Sequence, residues 1–212
     1  MARLLKCPKR EIRDVNEKAF QRAIFHNNTI QLSTIKGKRK KAVVDWYDFE
    51  SPIDKNRETN SKARGKLNLD LIGKDRVSNH YIVCEVKFSC NKKDSPQDAA
   101  NEAYNYFTAI INDASELDTI ATHHRGGTSF SWKDILPEET EIWVVANSAY
   151  WAYWIGHEPN DLPKVVGEGS LEKRVRCFSV DIPGDYFIEQ KGESKVYVPE
   201  IPKDAIWTEL SL

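Results

Sequence analysis

The stretch from Leu67 to Phe88, LNLDLIGKDRVSNHYIVCEVKF, is the strongest constraint on how this chain can fold. Two apolar runs, 67–72 and 81–88, flank a polar segment that carries the turn formers Gly73, Ser78 and Asn79. This pattern predicts a β-hairpin with a longer loop. Strand side chains alternate with period two, so Val83, Glu85 and Lys87 share one face. Ile82, Cys84, Val86 and Phe88 share the other. Asp70 sits mid-strand between Leu69 and Leu71. Charged groups inside apolar strands are costly unless they are paired or hold a metal. With the loop centred near Arg76 to Ser78, Asp70 falls opposite Glu85, where cross-strand β-carbons approach to about 4.5–5.5 Å. Two carboxylates that close repel, and a divalent cation between them removes the repulsion.

The flanking segments extend the pattern. Residues 14–26 read as a helix, with Asp14 as cap and Glu17 three residues on. Strands are expected over 29–35 and 42–49, around a basic tip of Lys36, Lys38, Arg39, Lys40 and Lys41. A long polar loop follows, with Arg57, Lys62, Arg64 and Lys66 ahead of Asp70. Ser95 caps a helix that has Pro96 at its first position and Asp98 in its first turn. A buried strand is expected over 141–146, a short aromatic helix after it, and strands over 173–182 and 195–200.

Asp70, fourteen residues, then Glu85-Val86-Lys87 resembles the motif of the PD-(D/E)XK nucleases, with Leu69 where the family has a proline. The resemblance implies an α/β fold with a restriction-endonuclease-like core: a central mixed β-sheet flanked by helices, in the order αβββαβ. One nuclease-like domain, 1–212, is then expected, its core over about 14–146 and a strand-rich extension over 147–212. The implied activity is metal-dependent hydrolysis of phosphodiester bonds, with DNA as substrate. Asp70, Glu85 and the Val86 carbonyl would bind Mg²⁺ or Mn²⁺, and Lys87 would assist attack by water. Gln97, on the helix after the Glu-x-Lys strand, would position that water. Glu17, on the first helix, would hold a second metal or its water shell. Lys38, Arg39, Lys40 and Arg64 would contact the phosphate backbone. A homodimer would suit double-strand cutting.

Composition narrows the field. The chain has 212 residues, 40% of them hydrophobic, and a net charge of −1. Nothing in that balance demands nucleic acid, although binders often use only a local basic face. No apolar run approaches the roughly 20 residues of a membrane span, and no signal peptide is evident. A cytoplasmic protein is expected, with Cys7, Cys84, Cys90 and Cys177 as free thiols. No Gly-rich phosphate loop is present, and His123 and His124 lack zinc-ligand partners at the right spacing. Two alternatives stay open. One is a catalytically inactive nuclease-like module that binds nucleic acid or a protein partner. The other is an unrelated α/β interaction protein in which the Asp70, Glu85 and Lys87 triplet forms only an ion network.

Overall fold

The computed structural model describes residues 5–6, 17–27, 29–34, 39–53, 68–88, 93–120, 130–157, 162–181, 187–191, 194–198, 201–203 and 205–210. Its first elements are β1 (Leu5–Lys6), α1 (Glu17–Phe25), β2 (Thr29–Thr34), β3 (Arg39–Pro52), β4 (Asn68–Asp75) and β5 (Tyr81–Lys87). Then come α2 (Pro96–Ile120), β6 (Thr140–Ala146), α3 (Ser148–His157), β7 (Val165–Val166) and β8 (Lys173–Ser179). The chain ends with β9 (Phe187–Lys191), β10 (Ser194–Val198) and β11 (Ile206–Glu209). Strands β1, β10 and β9 form a separate three-stranded antiparallel sheet.

The main sheet runs β2-β3-β4-β5-β6-β8, with β7 beside β8. Strand β11 pairs parallel with β2 and antiparallel with β8, so both ends of that run meet on one strand. Among the described residues the result is a closed, seven-stranded mixed barrel with three α-helices. This corrects the expectation of an open, restriction-endonuclease-like sheet flanked by helices. Closure satisfies the edge strands that an open sheet would leave unpaired. Two of the seven strands, β8 and β11, come from beyond residue 146.

Alternation along the strands sorts the core into two clusters. Ile82, Cys84 and Val86 of β5, Trp143 and Val145 of β6, Phe178 of β8 and Trp207 of β11 all pack in the first. All seven strands contribute to it, so it is the barrel interior, filled by side chains. Helix α1 adds Phe20, Ala23, Ile24 and Phe25. Its Phe20 ring lies 5.1 Å from that of Phe88, and its Phe25 ring 4.9 Å from that of Phe49. Helix α1 thus covers the barrel at the end of β5. The second cluster lies outside, where Val83, Ile142, Val144, Val175 and Cys177 pack against Ala99, Ala103, Phe107 and Ile110 of α2 and Tyr150 and Trp151 of α3.

The opposite end of the barrel is held by charge. Arg176 forks onto Glu209, with Nε to Oε1 at 2.7 Å and Nη2 to Oε2 at 2.9 Å. Its Nη1 donates to Glu141 Oε2 at 3.2 Å. Glu141 also accepts from the Trp143 indole. One guanidinium therefore ties β6, β8 and β11 together where the barrel closes. Gly73 serves tight packing on the opposite wall: a Cβ there would sit 2.7 Å from Trp46 Cε3 and 2.8 Å from the Asp45 carbonyl oxygen.

The hairpin forms as the sequence predicts. Strands β4 and β5 pair antiparallel from Lys74↔Tyr81 to Leu71↔Cys84. Asp75 anchors the turn by accepting from the Val77 N–H and the Ser78 hydroxyl. Asn79 takes the left-handed conformation, φ 63°, which asparagine tolerates better than most residues.

Candidate active site at the end of the hairpin ladder

The last paired rung is Leu71↔Cys84, and Asp70 and Glu85 face each other one step beyond it. There the Asp70 side chain takes over from the backbone ladder, with its Oδ2 accepting from the Val86 N–H at 2.8 Å. Strand β4 also changes face here. Leu69 packs in the outer cluster and Leu71 in the interior one, although strict alternation would put both on one side. Glu50, which lies opposite Asp70 between the Phe49↔Leu71 and Ser51↔Leu69 pairs, has φ 49°. A non-glycine residue in that region marks a local distortion. The distortion lets Asp70 meet both β5 and α1, where Gln21 Nε2 donates to Asp70 Oδ1 at 2.7 Å.

Glu85 and Lys87 follow in β5, both buried. Lys87 Nζ donates to Glu85 Oε1 at 2.8 Å and to Glu102 Oε2 of α2 at 3.0 Å. Asp94 Oδ2 lies 3.7 Å from the same ammonium. Tyr106, one turn after Glu102, donates its hydroxyl to Glu102 Oε1 at 2.8 Å. Glu17 accepts from the Phe88 N–H and also senses the Lys87 charge. Five carboxyl groups (Glu17, Asp70, Glu85, Asp94 and Glu102) thus surround one ammonium.

That imbalance shifts the proton affinities. Burial pushes the Asp70 carboxyl up to about 7, against the opposing pull of the Val86 N–H and the Lys87 charge. Burial and then Asp70 push Glu85 well above the carboxylate range. Burial also raises Glu17. For Lys87, burial alone would lower the affinity, but Glu85 and Glu102 outweigh it and raise the value. Lys87 is accordingly a fixed positive charge.

A hard divalent cation fits the acidic pair. Glu85 Oε2 is buried and receives no hydrogen bond from a fixed donor among the described residues, while the Glu85 and Asp70 carboxyl groups lie close enough to share one. Such a group is uncommon and calls for an explanation. Asp70 and Glu85 supply carboxylate oxygens at one point, and Mg²⁺ is typically bound through one or two carboxylates while keeping several waters. Among the described residues, no three His, Cys, Asp or Glu side chains converge as a metal-holding group.

The other expected site residues fare differently. Gln97 is exposed, and its amide donates to Asn101 Oδ1 at 3.0 Å. Among the described residues it makes no hydrogen bond to the acidic pair. Val86 joins the site through its N–H. Lys38 and Arg64 lie outside the described residues, whereas Arg39 and Lys40 start β3, paired with Ser33 and Leu32. Gln21, Glu102 and Tyr106 are gains from the structure. Gln21 had a sequence signal, since it sits one turn after Glu17 on the same side of α1. Glu102 and Tyr106 are four apart on α2, hence on one face. The cap of α2 is as expected: Ser95 Oγ accepts from the Asp98 N–H at 3.2 Å, and Asp98 Oδ2 from the Ser95 N–H at 3.0 Å. Among the described residues, no helix is long and apolar enough to cross a membrane.

A scan against protein-family models, a search of curated proteins and a search of solved structures each found no match.

Proposed function

We propose that the chain is a metal-dependent nuclease of the cytoplasm that hydrolyses phosphodiester bonds in DNA. The observation that carries this reading is the meeting of Asp70 and Glu85 at the end of the ladder, with the Lys87 ammonium 2.8 Å from Glu85. The site and not the fold supports this function, because a fold alone does not fix one. Asp70 and Glu85 would hold Mg²⁺ or Mn²⁺. When bound, the ion would supply Lewis acidity and a water acidic enough to attack at neutral pH. Lys87 stabilises the charge that develops on the phosphate oxygens. Glu102 fixes the direction of Lys87, and Tyr106 fixes Glu102. Lysines and arginines at 36–41 and 57–66 suit a polyanionic backbone. A homodimer would place two such sites on opposite strands.

A second reading has an observation of its own. Glu85 and Glu102 already take two of the three Lys87 donors, as they would in a nuclease-like module that binds nucleic acid or a protein without cutting. Cleavage of supercoiled plasmid, linear duplex, single-stranded DNA and RNA in Mg²⁺ or Mn²⁺ separates the two. The nuclease reading expects cleavage that EDTA abolishes and that Asp70→Ala or Lys87→Ala abolishes with binding retained. Binding without cleavage under either metal favours the inert module.

A further inference from the structure

Helix α1 presents two polar side chains to the site, Glu17 and Gln21, and they are not equivalent. Glu17 is only partly buried, and its carboxylate already accepts from the Phe88 N–H. Gln21 is 4% exposed and touches Asp70 directly. The Gln21 amide nitrogen faces Asp70, donating to Oδ1 at 2.7 Å. That leaves Gln21 Oε1 on the other side of the amide, buried and without a hydrogen-bond partner among the described residues. Glu85 Oε2 likewise receives no hydrogen bond from a fixed donor. Two buried oxygens without a fixed donor among the described residues thus belong to the two side chains that flank Asp70.

We propose that Gln21, through Oε1, is the ligand that α1 contributes to a divalent cation seated between Asp70 and Glu85. This inference rests on the cation site of the nuclease reading. Chemically, an amide oxygen is a hard ligand of the kind Mg²⁺ and Mn²⁺ accept. It adds no charge to a neighbourhood already crowded with carboxyl groups, where a further carboxylate would raise the repulsion in the cation-free protein. Among the described residues no three His, Cys, Asp or Glu side chains converge there, and the amide gives the acidic pair a third protein oxygen. Glu17 is then left to anchor α1 to the end of β5.

The test counts ligands instead of turnover. Calorimetric titration of the full chain with Mn²⁺ establishes whether it binds the ion. Emission lifetimes of bound Eu³⁺ in H₂O and D₂O then count the waters on the ion. Gln21→Met, of similar length but with no oxygen, is expected to raise that count by about one and weaken Mn²⁺ binding about tenfold. Lys18→Met, on the exposed side of the same helix, should leave the count unchanged. Should Gln21→Met fail to fold in EDTA, Gln21→Asn keeps the amide but withdraws it by one methylene, and should raise the count likewise. An unchanged count in the folded variant overturns the inference and leaves the cation site standing, because Gln21 would then act only by orienting Asp70. Failure of the unaltered chain to bind Mn²⁺ overturns both.

Discussion

Replacing Asp70 by asparagine should stabilise the metal-free protein and abolish its response to Mg²⁺. A carboxyl group whose pKa rises from an ordinary 3.8 to about 7 on folding resists ionisation in the folded state. At about 1.4 kcal/mol per pH unit, holding it ionised costs on the order of 4 kcal/mol. Because Asp70 keeps some contact with solvent, that figure is an upper limit. The cost is fully present above pH 7, where both folded and unfolded chains carry the charge. It shrinks as pH falls through the window between 7 and 3.8, where the folded chain keeps a proton that the unfolded chain has lost. Below 3.8 it vanishes. Asparagine is nearly isosteric, can still accept from the Val86 N–H, and can donate to Gln21 once that amide turns over. For a 212-residue chain, about 2–4 °C per kcal/mol gives Asp70→Asn a gain of up to roughly 8–16 °C in EDTA at pH 8. At pH 4 little gain should remain. Adding Mg²⁺ should raise the melting temperature of the unaltered chain by mass action and leave the variant where it is. Thermal melts by circular dichroism at the two pH values, with EDTA or Mg²⁺, decide the matter. An Asp70→Asn variant that melts at or below the unaltered chain at pH 8 in EDTA would refute the reasoning, since Asp70 would then be a stabilising charge.

Three further outcomes are expected. Arg176→Met should cost about 3–5 kcal/mol in urea unfolding, because it leaves Glu141 and Glu209 buried without their cation. Burial raises the Glu141 pKa, but the Trp143 indole and Arg176 outweigh it and hold the value below its ordinary 4.5. The stability this contributes is present above pH 4.5 and lost below it, so acid unfolding should begin at higher pH in the variant. Gly73→Ala should cost about 1–3 kcal/mol by forcing a methyl group against the Trp46 ring and the Asp45 carbonyl, measurable as a lower urea midpoint with an unchanged slope. Ser95→Ala should cost about 1 kcal/mol by uncapping α2, read in the same assay.

What could be read in advance was local. Period-two alternation and turn chemistry are properties of neighbouring residues, and they brought Asp70 opposite Glu85 and set Lys87 beside it. The cap of α2 is likewise a matter of Ser95, Pro96 and Asp98 alone. On α2, however, any residue near the helix start could have been aimed at β5. Residues advance by about 100° each, so Gln97 and Asn101 point one way while Glu102 and Tyr106 flank the stripe of Ala99, Ala103 and Ile110. The side facing β5 was chosen by packing of that stripe on Val83 and Val144.

The linear order of residues by itself determined the hairpin, its charged pair and the lysine that follows. Only the tertiary structure decided that the sheet closes. Strand β11 is four residues long, too short for a periodic signal, and its partners lie far away in the chain. Tertiary contact also decided which α1 side chain meets Asp70, because Gln21 carries no charge to mark it and gains its role from where the helix lands on the barrel end. Local chemistry acts over a few residues and can be read from them. Strand closure and helix docking are long-range pairings, and their register follows from how a whole core fills.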